Sequence, residues 1–246
     1  MRTANPALTD TTFTKHAVSR TDDSRMTING AVNKTGVLVI LMLATAFWSW
    51  DRFQTNPGSA MTIAMVGAIA AFVVSLVVIF KNTTAPVLAP VYALLEGLFV
   101  GAISAVYEGQ YDGIVFQALG LTAMTLFALL AAYRSGLIKV TENFRLGVAA
   151  ATGAILLMYL VSFVMRLFGA EMPYLHDNGV VGIGLSAFIV VIAALNLVLD
   201  FDFIEKGAET GAPKHMEWYA GFGLLVTLVW LYLEILRLLA KLRSRD

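Results

Sequence analysis

The sequence predicts an all-α fold, a polytopic membrane helix bundle of about seven transmembrane helices. Three observations carry that prediction. Hydrophobic residues make up 58% of the chain and charged residues 14%, against about 45–50% and about 25% in an average soluble domain. A soluble protein so composed would expose apolar patches large enough to drive aggregation, which lipid tails would instead solvate. Apolar stretches of about 20 residues, the length that crosses a bilayer core as a helix, recur along the chain. Aromatic residues gather at the ends of those stretches (Trp48, Trp50, Tyr107, Tyr111, Tyr133, Trp218 and Tyr219), as they do at the membrane–water interface.

The spans follow in order. The first is Gly36–Trp50, short unless Val32 to Thr35 extend it. The others are Met61–Phe80, Pro86–Tyr107, Gly113–Tyr133, Leu146–Phe168, Gly179–Asp202 and Trp218–Leu242. Turn chemistry marks the joints. Asn56-Pro57-Gly58-Ser59 separates the first two, and Pro86 suits a first helical turn after Lys81 to Ala85. Glu108 to Gly113 is a short polar turn, Arg134 to Arg145 a basic loop, and Gly169 to Asn178 contains Pro173. Lys206 to Glu217, with Pro213, is among the longest connections. No internal repeat of fixed period stands out.

Three regions result: a polar tail over 1–33, the membrane domain over 34–242, and a short basic tail over 243–246. The apolar run that begins near Gly36 lies too far from the start for a signal peptide, and no A-x-A-like pattern follows it, so it reads as a retained helix. The lysine and arginine bias of short loops places the N-terminus in the cytoplasm. Arg2, Lys15, Arg20, Arg25, Lys34, Lys81, Arg134, Lys139, Arg145, Lys206 and Lys214 then fall inside, and Arg52 and Arg166 outside. Arg237, Lys241, Arg243 and Arg245 fall on the wrong side if all seven segments cross. Either the last helix crosses against the rule or one segment is re-entrant; seven crossings is the preferred reading.

Composition also excludes functions. A formal net charge of zero gives no sign of nucleic acid or of an acidic substrate. With no cysteine, thiolate metal sites, disulfides and a cysteine nucleophile are ruled out. His16, His176 and His215 are far apart in polar segments, so no metal site is assigned. Protease, hydrolase and nucleotide-binding motifs are absent, and nothing argues for an enzyme. An intramembrane aspartyl hydrolase would have candidate aspartates but no motif, and ranks last. The Asn82-Thr83-Thr84 sequon falls on the cytoplasmic side and reads as a chance match. Gly182 and Gly184 read as close helix packing rather than a phosphate cradle.

An ionisable side chain inside a span is expensive and marks a functional candidate. The candidates are Glu96 in the third span, Asp200 and Asp202 at the end of the sixth, and Glu234 and Arg237 in the seventh. Glu96 falls near mid-membrane beside Gly97 and Gly101, a GxxxG pair that invites another helix. It is either a functional acid or a neutral hydrogen-bonding residue in that contact. Helical residues turn by about 100° each, so Asp200 and Asp202 point to nearly opposite faces and cannot chelate together. One is expected to face the bundle interior and the other a loop or water. Glu234 and Arg237, three apart, share a face and can form an ion pair.

The stretches Leu195–Glu205, Lys214–Tyr219 and Leu231–Leu239 resemble the Bax inhibitor-1 family in its bacterial branch. Met26–Gly36 and Glu96–Gly101 fit it too, and the likeness runs over residues 26–242. The resemblance implies a seven-helix bundle with the last helix near the centre. It implies pH-sensitive passage of cations, with Ca²⁺ as the transported ion and no cofactor. It also implies a bacterial inner-membrane location. In that family an acid in each of the last two helices shares a proton and gates, because two adjacent carboxylates resist double ionisation. The first acid falls on Asp200, with Asp202 second. The Leu231-Tyr232-Leu233-Glu234 pattern makes Glu234 the other, the preferred alignment. Anchoring on Arg237 instead places Thr227 there, about 10.5 Å along the axis. A non-conducting regulator is the alternative: beyond the lipid bilayer, its partners would be other membrane proteins such as a quality-control protease.

Overall fold

The computed structural model describes residues 24–170, 172 and 179–244. It contains seven long helices: α1 Ile28–Thr55, α2 Pro57–Phe80, α3 Ala85–Gln110, α4 Ile114–Arg134, α5 Glu142–Leu167, α6 Val180–Glu209 and α7 Met216–Arg243. A 3₁₀ turn, Asn82–Thr84, precedes α3. All seven are long and apolar enough to cross a membrane. The expected seven-span, all-α architecture is therefore present. His16, His176 and the tail residues before Ser24 lie outside the described residues.

The helices outrun the apolar windows that reveal them. α1 starts at Ile28, not near Gly36, because Thr27 caps it by accepting from the Gly30 N–H. At 1.5 Å per residue a 28-residue helix is about 42 Å long, beyond the about 30 Å hydrocarbon core, so its polar ends project into water. α6 likewise continues through Lys206 to Glu209. The connection to α7 is accordingly shorter than the expected Lys206–Glu217 loop. Asn56 caps α2 through Ser59, with Pro57 in its first turn, and Thr141 caps α5 through Phe144. Gly211, at φ +68°, makes the left-handed turn that ends α6.

The described chain divides into two compact units. One holds residues 24–110 and 200–226; the other holds 111–199 and 227–244. In the first, small residues let backbones meet. Gly97 and Gly101 lie directly under α1: a Cβ at Gly97 would overlap Thr45 Oγ1 and the Met42 carbonyl, and one at Gly101 the Ala46 carbonyl. Ser49 Oγ donates to the Leu98 carbonyl at 2.7 Å across the same contact. Ala60, Ala64, Gly67 and Ala71 form a buried stripe along α2, and Gly67 abuts Leu95 and Leu98 of α3.

In the second unit Ile155, Ile189 and Ile192 form a core packed by Tyr159, Leu185 and Trp230. Asn196 donates to Thr152 Oγ1 at 2.9 Å. Gly182 is buried there but Gly184 is exposed, with nothing near a Cβ. The expected packing pair thus reduces to Gly182. Outward faces carry large apolar side chains such as Phe72, Phe116, Phe127 and Phe163, the surface a lipid-facing helix presents. α7 is the most enclosed span, with 61% of its apolar window buried against 44% for the next.

Six crossings separate the start of α1 from the α6–α7 connection, so both belong to one membrane face. They are in fact bonded: Met26 N donates to the Ala212 carbonyl at 2.6 Å and Lys214 N to the Ser24 carbonyl at 2.9 Å. On the other face, Arg243 Nη1 donates to the Asp112 carbonyl at 2.6 Å, joining the end of α7 to the α3–α4 connection.

Gly97→Ala and Gly101→Ala are expected to destabilise by about 1–3 kcal/mol through overpacking, and Gly184→Ala to stay within about 0.5 kcal/mol. Chemical unfolding in detergent micelles measures this, and equal effects at all three positions would refute the close contact. The chain has no cysteine, so Thr210→Cys and Ser244→Cys should react with an impermeant maleimide from opposite faces of sealed vesicles. Reaction from one face would overturn the seven-crossing path.

Candidate functional site

Asp200 sits nine residues before the end of α6 and is 2% exposed. The residues around it are enclosed too: Leu197, Val198, Phe201 and Phe203 are all buried. An ionisable side chain is expensive in that setting. Asp202 turns to the other side of the helix. Its Oδ2 accepts from Lys206 Nζ at 2.9 Å, one turn nearer the helix end. The two aspartates are divided as the helical angle requires: one enclosed, one in an interfacial ion pair.

Glu96 lies at mid-length of α3, half-buried. The Tyr92 hydroxyl, one turn earlier, hydrogen-bonds to its carboxylate. The Tyr92 ring in turn meets Phe222 of α7 edge-on, centroids 4.9 Å apart at 81°. Gly97 follows immediately on the face that packs under α1. Glu96 therefore stands at the margin of a tight helix contact, held by a neutral donor.

Glu234 is 2% exposed and is closed in by two partners. Arg237 Nη1 lies 3.0 Å from both of its carboxylate oxygens. The Tyr159 hydroxyl of α5 donates to Oε1 at 2.7 Å and accepts from Arg237 Nη1 at 2.5 Å. The guanidinium also sits 5.3 Å from the Tyr159 ring centre. The group is a net-neutral triad linking α5 to α7. Thr227, the alternative position for a second acid, is a buried threonine at 4% exposure.

One acid of consequence was not singled out by the sequence. Glu217, in the first turn of α7, is 1% exposed. Its Oε1 accepts from Thr27 N and Thr27 Oγ1, both at 3.0 Å, and lies 3.0 Å from Lys214 Nζ. A Cβ on Gly30 would overlap that carboxylate. The signal was present but indirect. A helix capped by threonine commonly carries glutamate three residues later, which accepts from the cap N–H. Here that place is Gly30, and the glutamate comes from another helix. Lys241 was also passed over; it is 6% exposed and donates to the Gly182 carbonyl at 3.1 Å. Among the described residues no cluster of three or more histidines or carboxylates could hold a metal ion.

Arg237→Met would leave Glu234 enclosed without its cation, at an expected cost of about 3–5 kcal/mol. Glu234→Gln is expected to cost less, because the Arg237 side chain is 35% exposed and can turn toward water. The double variant should recover part of the loss. A double-mutant cycle in detergent tests this; additive small effects would show that the pair carries no coupling.

The sequence profile of the Bax inhibitor 1 like family matches residues 5–244. No curated protein and no solved structure matches the chain.

Proposed function

Because the chain belongs to the Bax inhibitor 1 like family, we propose that this integral membrane protein is a pH-sensitive leak channel or transporter for cations, calcium first among them. It needs no cofactor and is not an enzyme. In this reading it lies in a bacterial inner membrane with its N-terminus in the cytoplasm. The observation that carries the proposal is Asp200, a carboxylate 2% exposed within a spanning helix. Such a group is rarely kept in a membrane for packing alone. Calcium is a hard cation that takes oxygen ligands, so a path past carboxylates suits it.

Asp200 is the acid on which proton sensing rests in this proposal. Glu234 is engaged by Arg237 and Tyr159, so its charge is already balanced. The Leu231-Tyr232-Leu233-Glu234 pattern makes that engaged Glu234 the second acid, and anchoring on Arg237 instead puts Thr227, a hydroxyl, in its place. We therefore read the family's two-acid gate as a one-acid version here, with Glu96 as a further polar group along α3.

The Glu234–Arg237–Tyr159 triad favours a second reading, in which the enclosed acids are structural and the protein is a non-conducting regulator of other membrane proteins, a quality-control protease among them. Calcium flux into dye-loaded proteoliposomes separates the two. Wild type should pass calcium at a rate that depends on pH, and Asp200→Asn should remove the pH dependence, leaving flux either absent or constant. Absence of flux at every pH, with all variants folded, would overturn the channel and leave the regulator.

A further inference from the structure

The segment before α1 is fastened to the α6–α7 connection by more than packing. Ser24, Arg25 and Met26 run antiparallel to Ala212, Pro213 and Lys214, with a bridge between Arg25 and Pro213 and the two backbone bonds already described. Thr27 then hands both its N–H and its hydroxyl to a single oxygen of Glu217, and Lys214 approaches that same oxygen. Beyond it, Lys34 Nζ lies 4.8 Å over the Trp218 ring, and a Cβ on Gly221 would lie 3.1 Å from Thr35 N. The seal is dry: Met26 is 2% exposed, Glu217 1%, and Ala212 and Met216 are fully buried. Yet these residues sit at the ends of spanning helices, where water is near.

We infer that residues 24–27 form a strap, latched by Glu217, that closes the end of α6 and can peel from the α6–α7 connection with Thr27 as its hinge. One carboxylate oxygen gathers three of the polar contacts. Elements fastened in this way open locally before the fold is lost. The strap directly follows residues 1–23 in the chain, so a load on that segment reaches the latch before any helix. Asp200 lies nine residues before the end of α6, about 14 Å along the helix. Resting on the reading of Asp200 as the proton-sensing acid, the strap regulates water access to it from that end.

The absence of native cysteine makes the latch directly observable in the full chain reconstituted in liposomes. Ala212→Cys adds a single sulfur atom under the strap, and its reaction with a water-soluble maleimide reports opening. Labelling should be slow in the otherwise wild-type background. Glu217→Ala, which removes the latch oxygen, and Gly30→Ala, which drives a methyl group into it, should each accelerate labelling by about tenfold, as expected when a capping interaction that closes a local equilibrium is lost. Thr27→Val keeps the glycine, the carboxylate and the Thr27 N–H bond and removes the hydroxyl's two bonds, to Glu217 and from the Gly30 N–H, so it should fall between, and it serves if the harsher variants do not fold. Equal labelling rates in every folded background would overturn the latch. Accelerated labelling establishes the latch even where calcium flux is absent, an outcome that would overturn conduction alone.

Discussion

Lipid offers no hydrogen bonds, and that constraint orders the whole structure. Each polar group carried into a spanning helix has to be answered by another part of the protein. Ser49 finds the Leu98 carbonyl, Asn196 finds Thr152, and Glu96 finds Tyr92. The same rule explains the small-residue stripes. Without a hydrophobic force between helices in lipid, association depends on close van der Waals approach, which Gly97, Gly101 and the alanines of α2 permit. Larger residues there would hold α1 and α3 apart and leave Ser49 short of its carbonyl.

The basic residues at the C-terminal end follow from this constraint as well. On a count of cations they conflict with seven crossings in the proposed orientation. The conflict eases when the three that lie within the described residues are followed to their partners. Arg237 is paired with Glu234, Lys241 is enclosed and bonded to the Gly182 carbonyl, and Arg243 holds the Asp112 carbonyl. Lys241 and Arg243 also sit in the last turn of α7, at the negative end of its dipole, which favours cations. The orientation bias concerns charges in short water-exposed loops. Cations that serve as contacts at a helix terminus are weak evidence against it.

Much of this was legible in the sequence because lipid solvation leaves a strong linear signal. Seven apolar windows located seven helices, and the sterically demanding Gly97 and Gly101 could be read from their spacing. The angle between Asp200 and Asp202 also followed from helical geometry alone. What escaped were features that depend on partners distant in the chain. The apolar windows stop where polarity rises, near Gly36 and at Asp202, although capping by Thr27 and the run to Glu209 extend α1 and α6 beyond them. The spacing of Gly182 and Gly184 does not say which of them faces lipid, and Gly184 is the exposed one. Glu217 looked like loop charge, since its partner Thr27 is 190 positions away.

Glu217 and Glu234 show how similar carboxylates acquire different uses. Both are nearly inaccessible and both have a basic residue three positions away on one helix face or turn. Glu234 has a guanidinium that reaches both oxygens and a tyrosine that completes the shell, an arrangement that leaves little to gain from movement. Glu217 concentrates its contacts on one oxygen, and its cation, Lys214, has a side chain 52% exposed to solvent. An exposed ion pair contributes little net stability, so what holds Glu217 is chiefly the pair of bonds from Thr27. Losing them frees the strap of residues 24–27 rather than a helix, at modest cost. The first acid is thus built to fix two helices together, and the second to hold a strap that can let go.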